Sequence, residues 1–277
     1  MTPTTPQVAR DKAGSATPVT PRGRFVWYEL LTTDEAAAAA FYPNVLGWAT
    51  EAWKTPPGAP PYTMWTNAGK SFGGLMALPK EARAAGAPPH WLGYVTVPDT
   101  DAALTKAQQY GAKSLMGPMD IPEVGRMAVI ADPQGAVLSL FTPSMAGSEP
   151  PAHPAVGEAS WRELATDDWK RAFDFYQDLF GWQKGEAMDM GPMGTYQILT
   201  LGGDRPPFGA MFNRPPQIPV SNWLYYFRVA NLDEAIEKTK AGGGKILNGP
   251  MDVPGGRIAQ CMDPQGAAFA MHWLKEG

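Results

Sequence analysis

Apolar and polar positions alternate from Phe25 to Leu31, which predicts a strand with Phe25, Trp27, Glu29 and Leu31 on one face. Thr33-Asp34 then supplies an N-cap for a helix through the alanine run to Val45, and Gly47 stops it. Pro43 falls inside that helix; a proline there removes a donor and crowds the preceding turn, at about 3 kcal/mol, so a kinked or shortened helix is expected. Short apolar runs follow, separated by the loop Pro56-Pro57-Gly58-Ala59-Pro60-Pro61 and by Gly73-Gly74, and read as two or three further strands. The same β-α-β-β-β order then returns. A strand over Trp91 to Val97 leads to a helix from about Thr100 to Tyr110 and a strand after Gly111. The strands Arg126 to Ala131 and Ala136 to Phe141 are joined by Asp132-Pro133-Gln134-Gly135, whose Pro and Gly suit the second and fourth places of a type I turn.

All of this occurs twice. Trp27-Tyr28-Glu29-Leu30, Phe41-Tyr42 and Leu46-Gly47-Trp48 reappear 134 residues later as Trp161-Arg162-Glu163-Leu164, Phe175-Tyr176 and Phe180-Gly181-Trp182. Trp91-Leu92 with Tyr94, Gly117-Pro118-Met119-Asp120 and Asp132-Pro133-Gln134-Gly135 return as Trp223-Leu224 with Tyr226, Gly249-Pro250-Met251-Asp252 and Asp263-Pro264-Gln265-Gly266. By that last motif the offset has fallen to 131. The fold class is therefore α+β, as two tandem domains of two βαβββ modules each. The boundaries fall at 24-143 and 158-275, with a Pro-, Gly- and Ser-rich linker over 144-157 and a disordered tail over 1-23.

Composition narrows the functional classes. A formal net charge of -4 offers no basic stripe for nucleic acid, and the tail has no apolar run of the kind a signal peptide or membrane span needs. The single cysteine, Cys261, excludes an intramolecular disulfide and any multi-cysteine metal cluster, so a cytoplasmic location is expected. The expected partner is a small molecule.

The paired modules, the Phe-Tyr-x-x-Leu-Gly-Trp helix ending and the Asp-Pro-x-Gly hairpin resemble the vicinal oxygen chelate superfamily, which includes glyoxalase I, bleomycin-resistance proteins and extradiol dioxygenases. More narrowly, Trp-x-Glu-Leu with Trp-Leu-x-Tyr is similar to tandem glyoxalase-like proteins of bacteria. The resemblance covers about residues 24 to 275 and implies that each domain folds into an eight-stranded cup open to a ligand. It also implies a monomer in which two domains mimic a dimer, or a homodimer.

Metal-dependent members of that superfamily place His, Gln or Glu at fixed inward positions. The first-strand position falls here on Trp27 and Trp161, the second-module position on Leu92 and Leu224, and the last-strand position on Ser139 and Ala270. With only three histidines in the chain, cups without the usual divalent metal are expected.

Inward polar residues remain. Glu29 and Glu163 share the face of the vacated position, and a buried carboxylate must be paired or protonated, with Arg126 and Arg257 as expected partners. Either these ion pairs belong to the scaffold, or Glu serves as a general base and Arg anchors an anionic group. Tyr94 and Tyr226 either cap the core or donate to a substrate oxygen. Trp27 and Trp161 either fill the core or stack on a flat ligand. His272 follows Ala270 by two on the last strand, where copy one has Phe141; it is either structural or, with Glu163, an acid/base pair or half of a divalent-metal site. Met188, Met190 and Met193 replace the proline-rich loop of copy one and form an adaptable apolar lip or an interface. Three functions are compatible with this pattern: a metal-free cup for a partly apolar ligand, a glyoxalase-like lyase or isomerase with an inward Glu as base, and a ligand-sequestering resistance protein.

Overall fold

The computed structural model describes residues 22-55, 61-145 and 153-275. In the first half, β1 (Phe25–Thr32), α1 (Glu35–Leu46), β2 (Ala49–Trp53), β3 (Tyr62–Asn67) and β4 (Lys70–Ala77) form one module. After the short helix α2 (Lys80–Ala84), β5 (His90–Thr96), α3 (Thr100–Gln109), β6 (Lys113–Ile121), β7 (Gly125–Ala131) and β8 (Val137–Pro143) form the second. The second half repeats this with β9 (Ala159–Thr166), α4 (Trp169–Phe180), β10 (Gln183–Asp189), β11 (Thr195–Thr200) and β12 (Gly209–Asn213). Its second module is β13 (Asn222–Arg228), α5 (Leu232–Ala241), β14 (Lys245–Val253), β15 (Gly256–Met262) and β16 (Ala268–Leu274). Helix α2 was not expected from the sequence. Among the described residues no helix is long and apolar enough to cross a membrane.

Each half is one eight-stranded mixed sheet, ordered β2-β3-β4-β1-β5-β8-β7-β6 and β10-β11-β12-β9-β13-β16-β15-β14. The two first strands of the modules lie side by side in the middle, β1 antiparallel to β5 and β9 antiparallel to β13. Alternation along β1 sends Tyr28 and Leu30 into the large core under the helices and Trp27 and Leu31 to the cup. Phe25 departs from the expected face. The register slips between Phe25 and Trp27, and this bulge turns Phe25 to the helix side, 5.8 Å from Trp182.

Asp34 caps α1 by accepting from Ala37 N at 3.0 Å, and Gly47 ends it in the left-handed conformation with φ 75. Pro43 does not shorten the helix, which has 12 residues like α4. Pro43 lies in the last turn, where the Gly47 N–H still closes onto its carbonyl at 3.0 Å.

The repeated motifs lock the halves together. In each Asp-Pro-Gln-Gly turn, one carboxylate oxygen of the Asp caps the turn's own backbone amides. The other accepts from a tyrosine of the opposite half: Tyr176 to Asp132 at 2.8 Å and Tyr42 to Asp263 at 3.0 Å. Those phenols accept in turn from Trp223 and Trp91 of their own halves. The tryptophans that follow Gly47 and Gly181 also cross over, Trp48 donating to the Gly157 carbonyl at 2.8 Å and Trp182 to that of Gly23 at 2.7 Å.

The tail and linker lie outside the described residues from 1 to 21 and from 146 to 152, as do residues 56-60 of the proline-rich loop. The parts that are described, Arg22-Gly23 and residues 153-157, make ordered contacts with the opposite half. Arg22 donates to the Leu179 carbonyl at 3.0 Å.

Candidate functional site

Two cups face away from the shared core, and the floor of each carries one buried carboxylate. In cup two, Trp161 and Glu163 project from β9, Tyr196 from β11, and Tyr226 from β13. Glu163 Oε1 accepts from the Tyr196 hydroxyl and Oε2 from that of Tyr226, both at 2.6 Å. The Trp161 indole donates to the Tyr196 oxygen at 2.7 Å, and Gln260 Nε2, from β15, to that of Tyr226 at 2.7 Å. Cup one repeats the chain: Trp27 donates to Tyr62 at 3.0 Å, and Tyr94 donates to Glu29 Oε2 at 2.6 Å. Tyr62 also hydrogen-bonds Glu29. The glutamates are 5% and 8% exposed, whereas Trp27, Tyr62, Trp161 and Tyr196 are half-buried and present surface to the cup.

Burial pushes both carboxyls above their usual range, and the phenol donors oppose that rise. The phenols of Tyr94 and Tyr226 are raised far above theirs, first by burial and then by the adjacent negative charge. Both stay protonated and donate.

Tyr62 and Tyr196 were missed in the sequence, although they are separated by the 134 residues that relate the first modules. Gly74 explains how Tyr62 fits. It pairs with Glu29, and a Cβ there would collide with the Tyr62 hydroxyl. In cup two the residue paired with Glu163 is Ala210.

Arg126 and Arg257 are not partners of the glutamates. Arg126 binds Asp101 of α3 at 2.5 Å and Asp120 at 2.8 Å, and Arg257 binds Asp233 of α5 at 3.0 Å. The reason is strand parity: Met127 and Val129, Ile258 and Gln260 face the cups, so the arginine one step before each run points to the helix side. His272 lies at the end of cup two, its Nδ1 3.1 Å from Ser160 Oγ and its Nε2 buried without a partner. None of its hydrogen bonds reaches Glu163. Burial, helped by the charge of Arg228, lowers its pKa to about 4.

The residues at the metal-ligand positions do converge. Leu92 pairs with Glu29 and Leu224 with Glu163, while Tyr94 pairs with Ser139 and Tyr226 with Ala270. Their donor set does not fit a divalent ion: an indole N–H only donates, leucine and alanine have no ligand atom, the neutral Ser139 hydroxyl is turned to the Ala128 and Leu140 carbonyls, and both oxygens of the one carboxylate hold phenols. Among the described residues, no three His, Cys, Asp or Glu side chains come together. Of the apolar lip, Met188 is half-buried, and Met190 and Met193 are 39% and 56% exposed. A separate cavity of about 190 Å³ opens between the halves, lined by Arg24, Arg162, Arg205 and Pro206 among others and by none of the Trp–Tyr–Glu–Tyr residues.

The sequence model of the glyoxalase/bleomycin resistance protein/dioxygenase superfamily matches residues 24–140 and again 155–271. A Mycobacterium tuberculosis protein provisionally named glyoxylase CFP32 is 33% identical over 246 residues, covering 88% of this chain and 92% of that one. Anthracycline biosynthesis protein DnrV of Streptomyces peucetius is 32% identical over 266 residues, covering 92% and 94%. Among solved structures, the 2,3-dioxygenase LapB of Pseudomonas sp. KL28 superposes with a TM-score of 0.63 at 13% identity, over 93% of this chain and 94% of that one. The Mn(II)-bound glyoxalase of Novosphingobium aromaticivorans gives 0.60 at 16%, over 93% and 83%. The last two likenesses speak to the fold alone. With both halves matched by the family model and relatives aligned over nearly their whole length, the chain belongs to the glyoxalase/bleomycin resistance protein/dioxygenase superfamily as a tandem two-domain member.

Proposed function

We propose that the cups bind a small, flat, partly apolar molecule without the divalent metal used by other members of the superfamily. The observation that carries this reading is the duplicated Trp–Tyr–Glu–Tyr chain, half-exposed aromatic faces set over a buried carboxylate, in a cup otherwise lined by apolar side chains and, in cup two, by Gln260 and His272. Indole and phenol faces stack on flat ligands at little entropic cost, since each side chain has only two torsions to fix. The carboxylate orients the ligand's polar end. Relatives named for anthracycline biosynthesis agree with a flat aromatic ligand.

Calorimetric titration with 1,4-dihydroxyanthraquinone tests the proposal. Saturable binding is expected, weakened at least about tenfold, or roughly 1.4 kcal/mol, by Trp27→Ala with Trp161→Ala. Undiminished affinity in that double variant would rule the cups out. The metal-free part is tested separately: protein purified without chelator should hold no stoichiometric metal, and one tightly bound divalent ion per domain would overturn it.

A second reading, glyoxalase-like lyase or isomerase chemistry with Glu29 or Glu163 as base, is favoured by the raised carboxyl pKa. Such a step moves a proton from a substrate carbon to a carboxylate oxygen while a tyrosine hydroxyl turns away from it. Activity on α-oxoaldehydes that survives Glu163→Gln with Glu29→Gln unchanged would dismiss this reading. Stoichiometric binding without turnover would instead indicate a sequestering role.

A further inference from the structure

We infer that the polar end of the ligand is a cation, a protonated amine carried by the flat body that the proposed function assigns to the cups. The inference rests on that reading and adds the ligand's charge.

Three features of the cups lead to it. First, each cup holds a buried carboxylate with no cation against it among the described residues. Glu29 is contacted by Tyr62 and Tyr94, and Glu163 by Tyr196, Tyr226 and, at 3.5 Å, Gln260. Among the described residues no lysine or arginine acts on either carboxyl, and Arg126 and Arg257 are engaged on the opposite face. Arg228, further along β13, donates to the Pro154 carbonyl at 2.9 Å, and its charge acts on His272. A buried charge without a counter-charge is costly, and here the cost is incurred in both copies.

Second, the protons in the network all run one way. Indole N–H groups have no acceptor capacity, so Trp27 and Trp161 direct the Tyr62 and Tyr196 protons onward to the glutamates. Gln260 does the same for Tyr226; its amide is oriented by Asn248, which donates to Gln260 Oε1 at 3.4 Å. Both hydroxyls of cup two and that of Tyr62 in cup one are thereby directed at the glutamate, which accepts from them, the hydrogen-bonding role of the ionised form. What the floor has left to offer a ligand is lone pairs and negative charge.

Third, the walls are π faces. Trp27 and Tyr62 present ring surface to cup one and Trp161 and Tyr196 to cup two, with Tyr94, Phe141 and Tyr226 buried beneath them. Aromatic faces around a carboxylate attract an ammonium through both the ring quadrupole and the charge. Among the described floor residues, the indole, phenol and Gln260 donors beside the carboxylate are already engaged, and the unpartnered Arg228 Nε and His272 Nε2 lie beyond them at the end of cup two.

The test is calorimetric titration of the full chain at pH 7 with three isosteric probes: 1-naphthylmethylamine, 1-naphthalenemethanol and 1-naphthoate. The amine is expected to bind at least about tenfold more tightly than the alcohol, and the naphthoate most weakly. In the Glu29→Gln, Glu163→Gln double variant the roughly tenfold preference for the amine over the alcohol should disappear. The wild-type series decides the matter even if that variant does not fold. Equal binding of amine and alcohol, or tighter binding of naphthoate, overturns the inference while leaving the cups as apolar sites. If no probe binds, the inference and the proposed function fail together.

Discussion

Burial raises the pKa of Glu29 and Glu163 against the opposing pull of their phenol donors, and this shift has a sign that can be measured. Their folded-state pKa lies above the ordinary 4.5, so the stability they contribute is complete below pH 4.5 and is lost as pH rises through the folded value. Glutamine does not titrate. The melting temperature of Glu163→Gln minus that of the wild type should therefore become more positive from below pH 4.5 to neutrality; a flat difference would mean the carboxyl is not shifted. His272 carries the opposite sign. Held neutral down to about 4 against an ordinary 6.5, it contributes stability above pH 6.5 that is lost as pH falls through that window. Replacing it with the residue of copy one, as His272→Phe, should flatten the wild-type fall in melting temperature between pH 6.5 and 4. Much of the site was readable residue by residue, because alternation along one strand puts Trp27 and Glu29 on a common face. Tyr62 and Tyr196 were not, since each follows a loop whose sequence differs between the copies and hides the repeat. Arg126 and Arg257 were misassigned by matching charge to charge without counting strand parity.

At the scale of elements, the motifs that identify the family are mostly joints. The tyrosine of Phe-Tyr-x-x-Leu-Gly-Trp and the aspartate of Asp-Pro-Gln-Gly meet across the two halves, although their own sequence context predicts only a helix and a turn. Tyr176→Phe removes the donor to the buried Asp132 Oδ2. Leaving that acceptor unsatisfied should cost about 1–3 kcal/mol in urea unfolding. Gly47, at φ 75 with open space around its Cβ position, is a matter of backbone conformation alone, and Gly47→Ala should cost roughly 1 kcal/mol. Helix and strand order was readable because caps, glycines and periodicity are local. The bulge after Phe25 was not, because it depends on how β1 meets β5.

For the whole molecule, one hydrophobic core runs through both halves, with Trp48 4.8 Å from Phe227 and Tyr42 5.4 Å from Phe269. Two sequence domains should accordingly unfold as one: a single transition in urea by both fluorescence and circular dichroism. Residues 158-275 alone would bare Tyr225, Phe227 and Phe269 and should self-associate in sedimentation. Two separated transitions would refute the shared core. The covalent fusion of the halves has a further consequence. In an assembly of identical chains, every substitution appears at all symmetry-related sites at once, so a change that improves one pocket is imposed on the other. Here Gln260 occupies the place of Val129, and His272 that of Phe141, without any matching change in the opposite cup. The interlocked frame keeps two pockets in one molecule while leaving each free to acquire its own ligand.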